Sequence, residues 1–73
     1  MANVDVKSEI TGNVWKIVAA VGDELPEDEP VMILESMKME IPVLASDDGK
    51  VAEIMVDEEE PVSEGQVVVV LDA

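Results

Sequence analysis

Hydrophobic and polar residues along this chain follow a period of two rather than the 3.6 of a helix. Val4, Val6 and Ile10 stand in that register, with Asp5, Lys7 and Glu9 between them. Residues 14–18 form a short, β-branched segment bounded by Gly12 and Gly22. Residues 31–34 are continuously apolar, the pattern of a fully buried strand. Ile41, Val43 and Ala45 alternate again, and Pro42 among them belongs on an edge strand or at a strand end, because it has no N–H for a central ladder. Residues 51–56 and 67–71 repeat the theme. Turn signals separate these segments: Gly22-Asp23, Asp48-Gly49, Glu64-Gly65, Pro26, Pro30 and Pro61. No 11-residue window holds apolar residues at helical spacing without a Gly or Pro interrupting it. Short strands at regular spacing predict an all-β sandwich or barrel.

The strands come in two sets. Shifting the sequence by 37 positions superimposes its halves without a gap: Gly12 falls on Gly49, Val14 on Val51, Ile17 on Ile54 and Leu25 on Val62. Val31, Met32, Ile33 and Leu34 fall on Val68, Val69, Val70 and Leu71, and Glu35 on Asp72. A gapless register with matching glycines predicts two copies of one unit, residues 4–37 and 40–73, related by a pseudo-two-fold axis within a single domain spanning 1–73.

Composition narrows the chemistry. A 73-residue chain buries only about 60% of its unfolded surface and has a thin stability margin. There is no Cys and no His, so disulfides, thiolate metal sites and the commonest general base are excluded. The formal net charge of −14, from 18 acidic residues against 4 lysines, excludes nucleic acid and anionic membrane surfaces as partners. It also disfavours self-association, so a monomer is expected in isolation. So one-sided a charge fits a salty cytoplasm as well, which a melting series in NaCl and KCl would test. No 18-residue apolar run and no basic-then-apolar leader is present, so a cytoplasmic protein is expected. The acidic stretches 24–29 and 57–60 occupy matched places in the repeat and read as solvated loops, not metal sites. The four glycines are scattered, so no phosphate-cradling loop exists.

At the junction of the halves stands Glu35-Ser36-Met37-Lys38-Met39-Glu40. An apolar strand precedes it and an alternating strand follows, so residues 35–40 are a tight hairpin. Its tip carries Lys38, the only basic residue between Lys16 and Lys50, flanked by two flexible, polarizable Met. On position alone, Lys38 is equally an ordinary exposed turn lysine beside methionines that tuck into the core.

Met37-Lys38-Met39, preceded by Glu35-Ser36, resembles the attachment motif of biotinyl domains. The likeness runs from Val4 to Leu71: Gly22-Asp23, Asp48-Gly49-Lys50-Val51 and Gly65-Gln66 match the family's pattern. Glu58-Glu59-Glu60 departs from a common Glu-Gly-Asp, and Asp28-Glu29-Pro30 stands where Gly-Asp is common. The resemblance implies a flattened β-barrel or sandwich of two four-stranded antiparallel sheets, the barrel-sandwich hybrid shared by biotinyl and lipoyl domains. It further implies covalent biotin on Lys38, attached by a biotin protein ligase. The carboxyl group would be loaded by a biotin carboxylase and delivered by a carboxyltransferase to an acyl-CoA or keto acid, the chain being a carrier without catalytic residues. Within that reading Met37 and Met39 shape ligase recognition and shield the linkage, Glu35 helps distinguish biotinylation from lipoylation, and Ser36 is a turn residue. Trp15, the sole aromatic, is expected in core or half-buried packing. Two other readings stand beside this one. A lipoyl carrier shares fold and hairpin lysine but usually shows Asp-Lys-Ala, and an unmodified acidic interaction module would keep the Lys38 amine free.

Overall fold

The computed structural model describes residues 3–37 and 39–73. Eight strands follow one another: β1 Asn3–Lys7, β2 Gly12–Ile17, β3 Glu24–Leu25, β4 Pro30–Ser36, β5 Met39–Leu44, β6 Gly49–Ile54, β7 Pro61–Val62 and β8 Val67–Asp72. They form two four-stranded antiparallel sheets, ordered β1-β8-β6-β3 and β5-β4-β2-β7. No helix occurs among the described residues, so none is long and apolar enough to cross a membrane. The molecule is elongated, 36 × 18 × 18 Å.

Moving β1, β2, β3 and β4 on by 37 residues lands on β5, β6, β7 and β8, and every pairing in one sheet has its mate in the other. Each sheet takes two strands from each half, so neither half buries its apolar face without the other. The core shows the same equivalence. Val14 with Val51, Val31 with Val68, Met32 with Val69 and Leu34 with Leu71 are all fully buried.

Strict alternation would send either Val31 or Met32 to solvent. Instead the β4–β5 register slips between Pro30 and Met32, so Val31 is a bulged residue and both side chains point inward. The β1–β8 register slips at the matched place, around Val68. The continuous apolar run is therefore buried by a bulge and not by cover on both faces. A second matched pair of bulges sits at Trp15 and Ala52. Trp15 points outward beside buried Val14 and is 48% exposed, half-buried rather than in the core. Pro42 lies in β5, an edge strand, where its missing N–H costs no ladder bond.

Four β-turns join the strands, at 20–23, 26–29, 57–60 and 63–66. Each is closed by a backbone N–H of the fourth residue donating to the first carbonyl, at 3.0, 3.1, 3.2 and 3.0 Å. Their third residues are Gly22, Asp28, Glu59 and Gly65, with φ of 97°, 72°, 71° and 86°. That is the left-handed backbone a type II turn requires. The acidic loops are more than solvated. Asp23 Oδ2 accepts from Ala20 N (2.9 Å), and at the matched place Glu60 Oε1 accepts from Asp57 N (3.1 Å). Glu58 Oε2 accepts from Ile17 N (3.0 Å), tying the second acidic turn to β2.

Candidate functional site

β4 and β5 pair through Glu35–Glu40 and Ser36–Met39, so the chain reverses between Ser36 and Met39, with Met37 in a turn. Lys38 itself lies outside the described residues, so the site is read from its neighbours. Met37 is 96% exposed and Met39 64%, which removes the alternative in which they tuck into the core.

Three features of this hairpin sacrifice stability. Met37 has φ of 56°, a left-handed conformation that a side chain with a Cβ adopts at a cost of about 1–2 kcal/mol and that tight hairpins usually assign to Asn or Gly. Glu35 faces Glu40 directly across the ladder, and like charges so placed weaken a strand pair. Two large apolar side chains stand in water. Local strain of this kind, held in place by a well-formed fold, marks sites kept for a purpose other than folding.

The stem beneath the loop is well braced. The Ser36 hydroxyl donates to the Thr11 carbonyl (3.2 Å), and Thr11 Oγ1 accepts from Glu64 N (3.1 Å). Ser36 is thus a clamp between the hairpin and the loop before β2, which a reading of it as a plain turn residue missed. Gly12 completes the clamp: a Cβ there would lie 2.5 Å from the Glu35 carbonyl oxygen, so only glycine lets the two segments approach. Ser36 and Thr11 stand 25 residues apart and nothing in the sequence links them, so only the fold reveals them as partners.

The strands beneath the hairpin are thus held in a fixed relation to the loop before β2. No set of three acidic residues suited to a metal ion occurs among the described residues. A cleft of about 640 Å³ at the far end of the molecule, walled by Glu24, Asp48, Lys50 and Asp72, has no link to the hairpin.

A family model described as "Biotin-requiring enzyme" matches residues 2–71. A biotin/lipoyl attachment protein of Bacillus subtilis (strain 168) is 42% identical over 66 residues, covering 90% of each chain. A biotinylated protein TB7.3 homolog of Mycobacterium leprae is 37% identical over 67 residues, 92% of this chain and 94% of that one. Among solved structures, the urea carboxylase of Kluyveromyces lactis superposes with a TM-score of 0.93 at 39% identity. The match covers 99% of this chain and 6% of that enzyme. A single-chain, multi-domain long-chain acyl-CoA carboxylase shares the fold, with a TM-score of 0.85 at 22% identity over 97% of this chain and 7% of that one.

Proposed function

The chain belongs to the family of biotin-requiring enzymes, as a biotinyl domain, and from that premise we propose that it is a biotin carboxyl carrier modified on Lys38. Covalent biotin is the cofactor its membership assigns. The observation that carries the residue assignment is the hairpin: a turn with exposed flanks, held in a costly conformation on a braced stem. When bound, biotin supplies a ring nitrogen that takes up and gives back a carboxyl group.

The chain's own residues do the positioning. The Ser36–Thr11 clamp fixes the direction in which the loop points. Exposed Met37 and Met39 give a ligase an adaptable apolar contact on both sides of the lysine. Glu35 and Glu40 mark the stem with negative charge, which suits discrimination from a lipoyl ligase. A tethered group meets its second site at an effective concentration of roughly millimolar, so delivery needs no release into solution.

In this reading a biotin protein ligase modifies the chain, a biotin carboxylase loads it and a carboxyltransferase unloads it. The chain itself is the carrier, not the catalyst, and works in the cytoplasm. The acceptor is an acyl-CoA or a keto acid, with urea added by the likeness to urea carboxylase. The test is intact mass after co-expression with a biotin ligase. One added biotinyl group on the wild type and none on Lys38→Arg is expected, because a guanidinium is a poor acyl acceptor. A folded wild-type chain that gains nothing beside an active ligase would overturn the assignment, and a lipoyl adduct would replace it.

A further inference from the structure

Edge strands β1 and β5 leave a groove of about 260 Å³ between the end of β1 and the length of β5. Consecutive residues of β5, both inward and outward, line it, so it follows the strand's unpaired edge rather than one face. Its apolar wall is Ile10, Leu34, Ile41, Pro42 and Val43. The volume falls just short of the roughly 300–1,000 Å³ of pockets that take drug-sized ligands, so it suits a small ring system.

Its position ties it to the hairpin. β5 leaves the loop at Met39, and Ile41 stands two residues on, roughly 7 Å along a strand. A lysine stem carrying biotin spans on the order of 10–15 Å, so the ring reaches Ile41 and Pro42 with no change in the strands. The opposite rim is held rigidly. Buried Ser8 donates its hydroxyl proton to the Ile10 carbonyl (2.6 Å) and accepts from Ile10 N (3.3 Å). The next residue, Thr11, is the one clamped to Ser36. Ile10 and the hairpin therefore keep a fixed relation.

The repeat supplies an internal control. The 37-residue counterparts of Ile10, Ile41 and Pro42 are Asp47, Val4 and Asp5. The fold is the same at both ends, yet Ile10, Ile41 and Pro42 stand at the end that carries the lysine where the other end has Asp47, Val4 and Asp5, although the groove also has Lys7, Glu9, Glu27 and Asp28 on its lining. Matched packing demands alone would not separate the two.

Resting on the biotin reading above, we propose that this groove is a resting site for the chain's own biotin ring between encounters with partner enzymes. The apolar wall takes the hydrocarbon chain and the thioether side, and the edge-strand backbone offers hydrogen-bonding groups to the ureido side. A neutral ring brings no charge of its own to a groove whose lining includes Lys7, Glu9, Glu27 and Asp28.

The experiment compares the apo and biotinylated full chain by NMR, with intact mass establishing the loading. Biotinylation is expected to shift the amides of Ile10, Ile41 and Val43 as well as those of residues 36–40, and to give contacts from ring protons to the Ile10 and Ile41 methyls. Ile10→Asp and Ile41→Val, which install the residues of the other end, are expected to abolish those contacts. They should also raise the rate of capture by streptavidin about two- to fivefold, as half to four-fifths of the rings are released. A loaded wild-type chain with shifts confined to residues 36–40, no ring contacts and a capture rate equal to the variants' would overturn this inference alone. A folded chain that takes no biotin would overturn it together with the reading beneath it.

Discussion

The two halves solve one backbone problem in opposite ways. Each has two turns that need a left-handed third residue. The first half places Gly at the first turn and Asp at the second, Gly22 and Asp28, while the second half places Glu at the first and Gly at the second, Glu59 and Gly65. The resulting φ values lie within about 26° of one another. The tertiary fold dictates the conformation, and the residue only decides how much it costs. The hairpin at 37–38 departs from this symmetry: Met37 carries a strained conformation with no glycine anywhere in the loop. In the turns, strain is incidental and could be removed without loss. In the hairpin, on the reading proposed above, removing it is expected to alter recognition by a ligase.

The sharpest way to break the equivalence is at its closest backbone contacts. A Cβ at Gly12 would lie 2.5 Å from the Glu35 carbonyl oxygen, and one at Gly49 would lie 3.0 Å from that of Asp72. Gly12→Ala should cost about 3 kcal/mol in urea unfolding and disturb the hairpin, while Gly49→Ala should cost about 1 kcal/mol. Equal losses would show that the hairpin clamp is no tighter than its counterpart. Next come Val31→Ala and Val68→Ala. Both side chains are fully buried at matched bulges, so each should lose about 1–3 kcal/mol, and by nearly the same amount. A gap of more than about 1 kcal/mol between them would mean that the halves are not energetically equivalent.

Smaller effects test the turns. Nothing lies within 4 Å of a Cβ built at Gly22 or Gly65, so Ala there costs only the conformational term, about 1 kcal/mol. The reverse exchanges, Asp28→Gly and Glu59→Gly, should raise the melting midpoint, each gaining up to about 1 kcal/mol. The smallest change in stability is expected at the hairpin. Met37→Asn should stabilise by a few tenths of a kcal/mol, because Asn tolerates left-handed backbone. The same variant should slow biotin loading in a ligase assay. A variant that gains stability and loads at the wild-type rate would show that Met37 serves neither folding nor recognition.

Much of this was legible before any coordinates. Alternation at Val4–Val6 and Ile41–Val43, the punctuating glycines and prolines and the 37-residue register are local or near-local signals. They follow from the pleat and from turn chemistry, which any strand must obey. The Met37-Lys38-Met39 motif was legible because it stands at the one place the repeat makes unique. Other features were not legible in the same way. Trp15 follows buried Val14 and points outward as alternation requires, but the bulge there leaves Lys16 outward too and returns Ile17 toward the core, a slip that period two does not foresee. Asp28 and Glu59 read as solvated loop positions, since only the crossing of each turn to a neighbouring strand forces the left-handed φ. Glu58 and Glu60 read as solvated charge, but they accept backbone N–H groups, Glu58 from Ile17 in another strand.

The sequence by itself determined that this chain forms strands, that it forms them twice, and that a lysine between two methionines sits at the joint. These are decided by side-chain periodicity, turn residues and covalent order. Only the tertiary structure decided how the halves interleave, two strands of each in both sheets, because a period of two says which residues face inward and not which strand lies alongside. It also decided where the ladder slips, which glycine must stay a glycine, and that a groove lies along the edge of β5. Each of these depends on contacts between residues far apart in the chain, where local preference is silent and close packing has the last word.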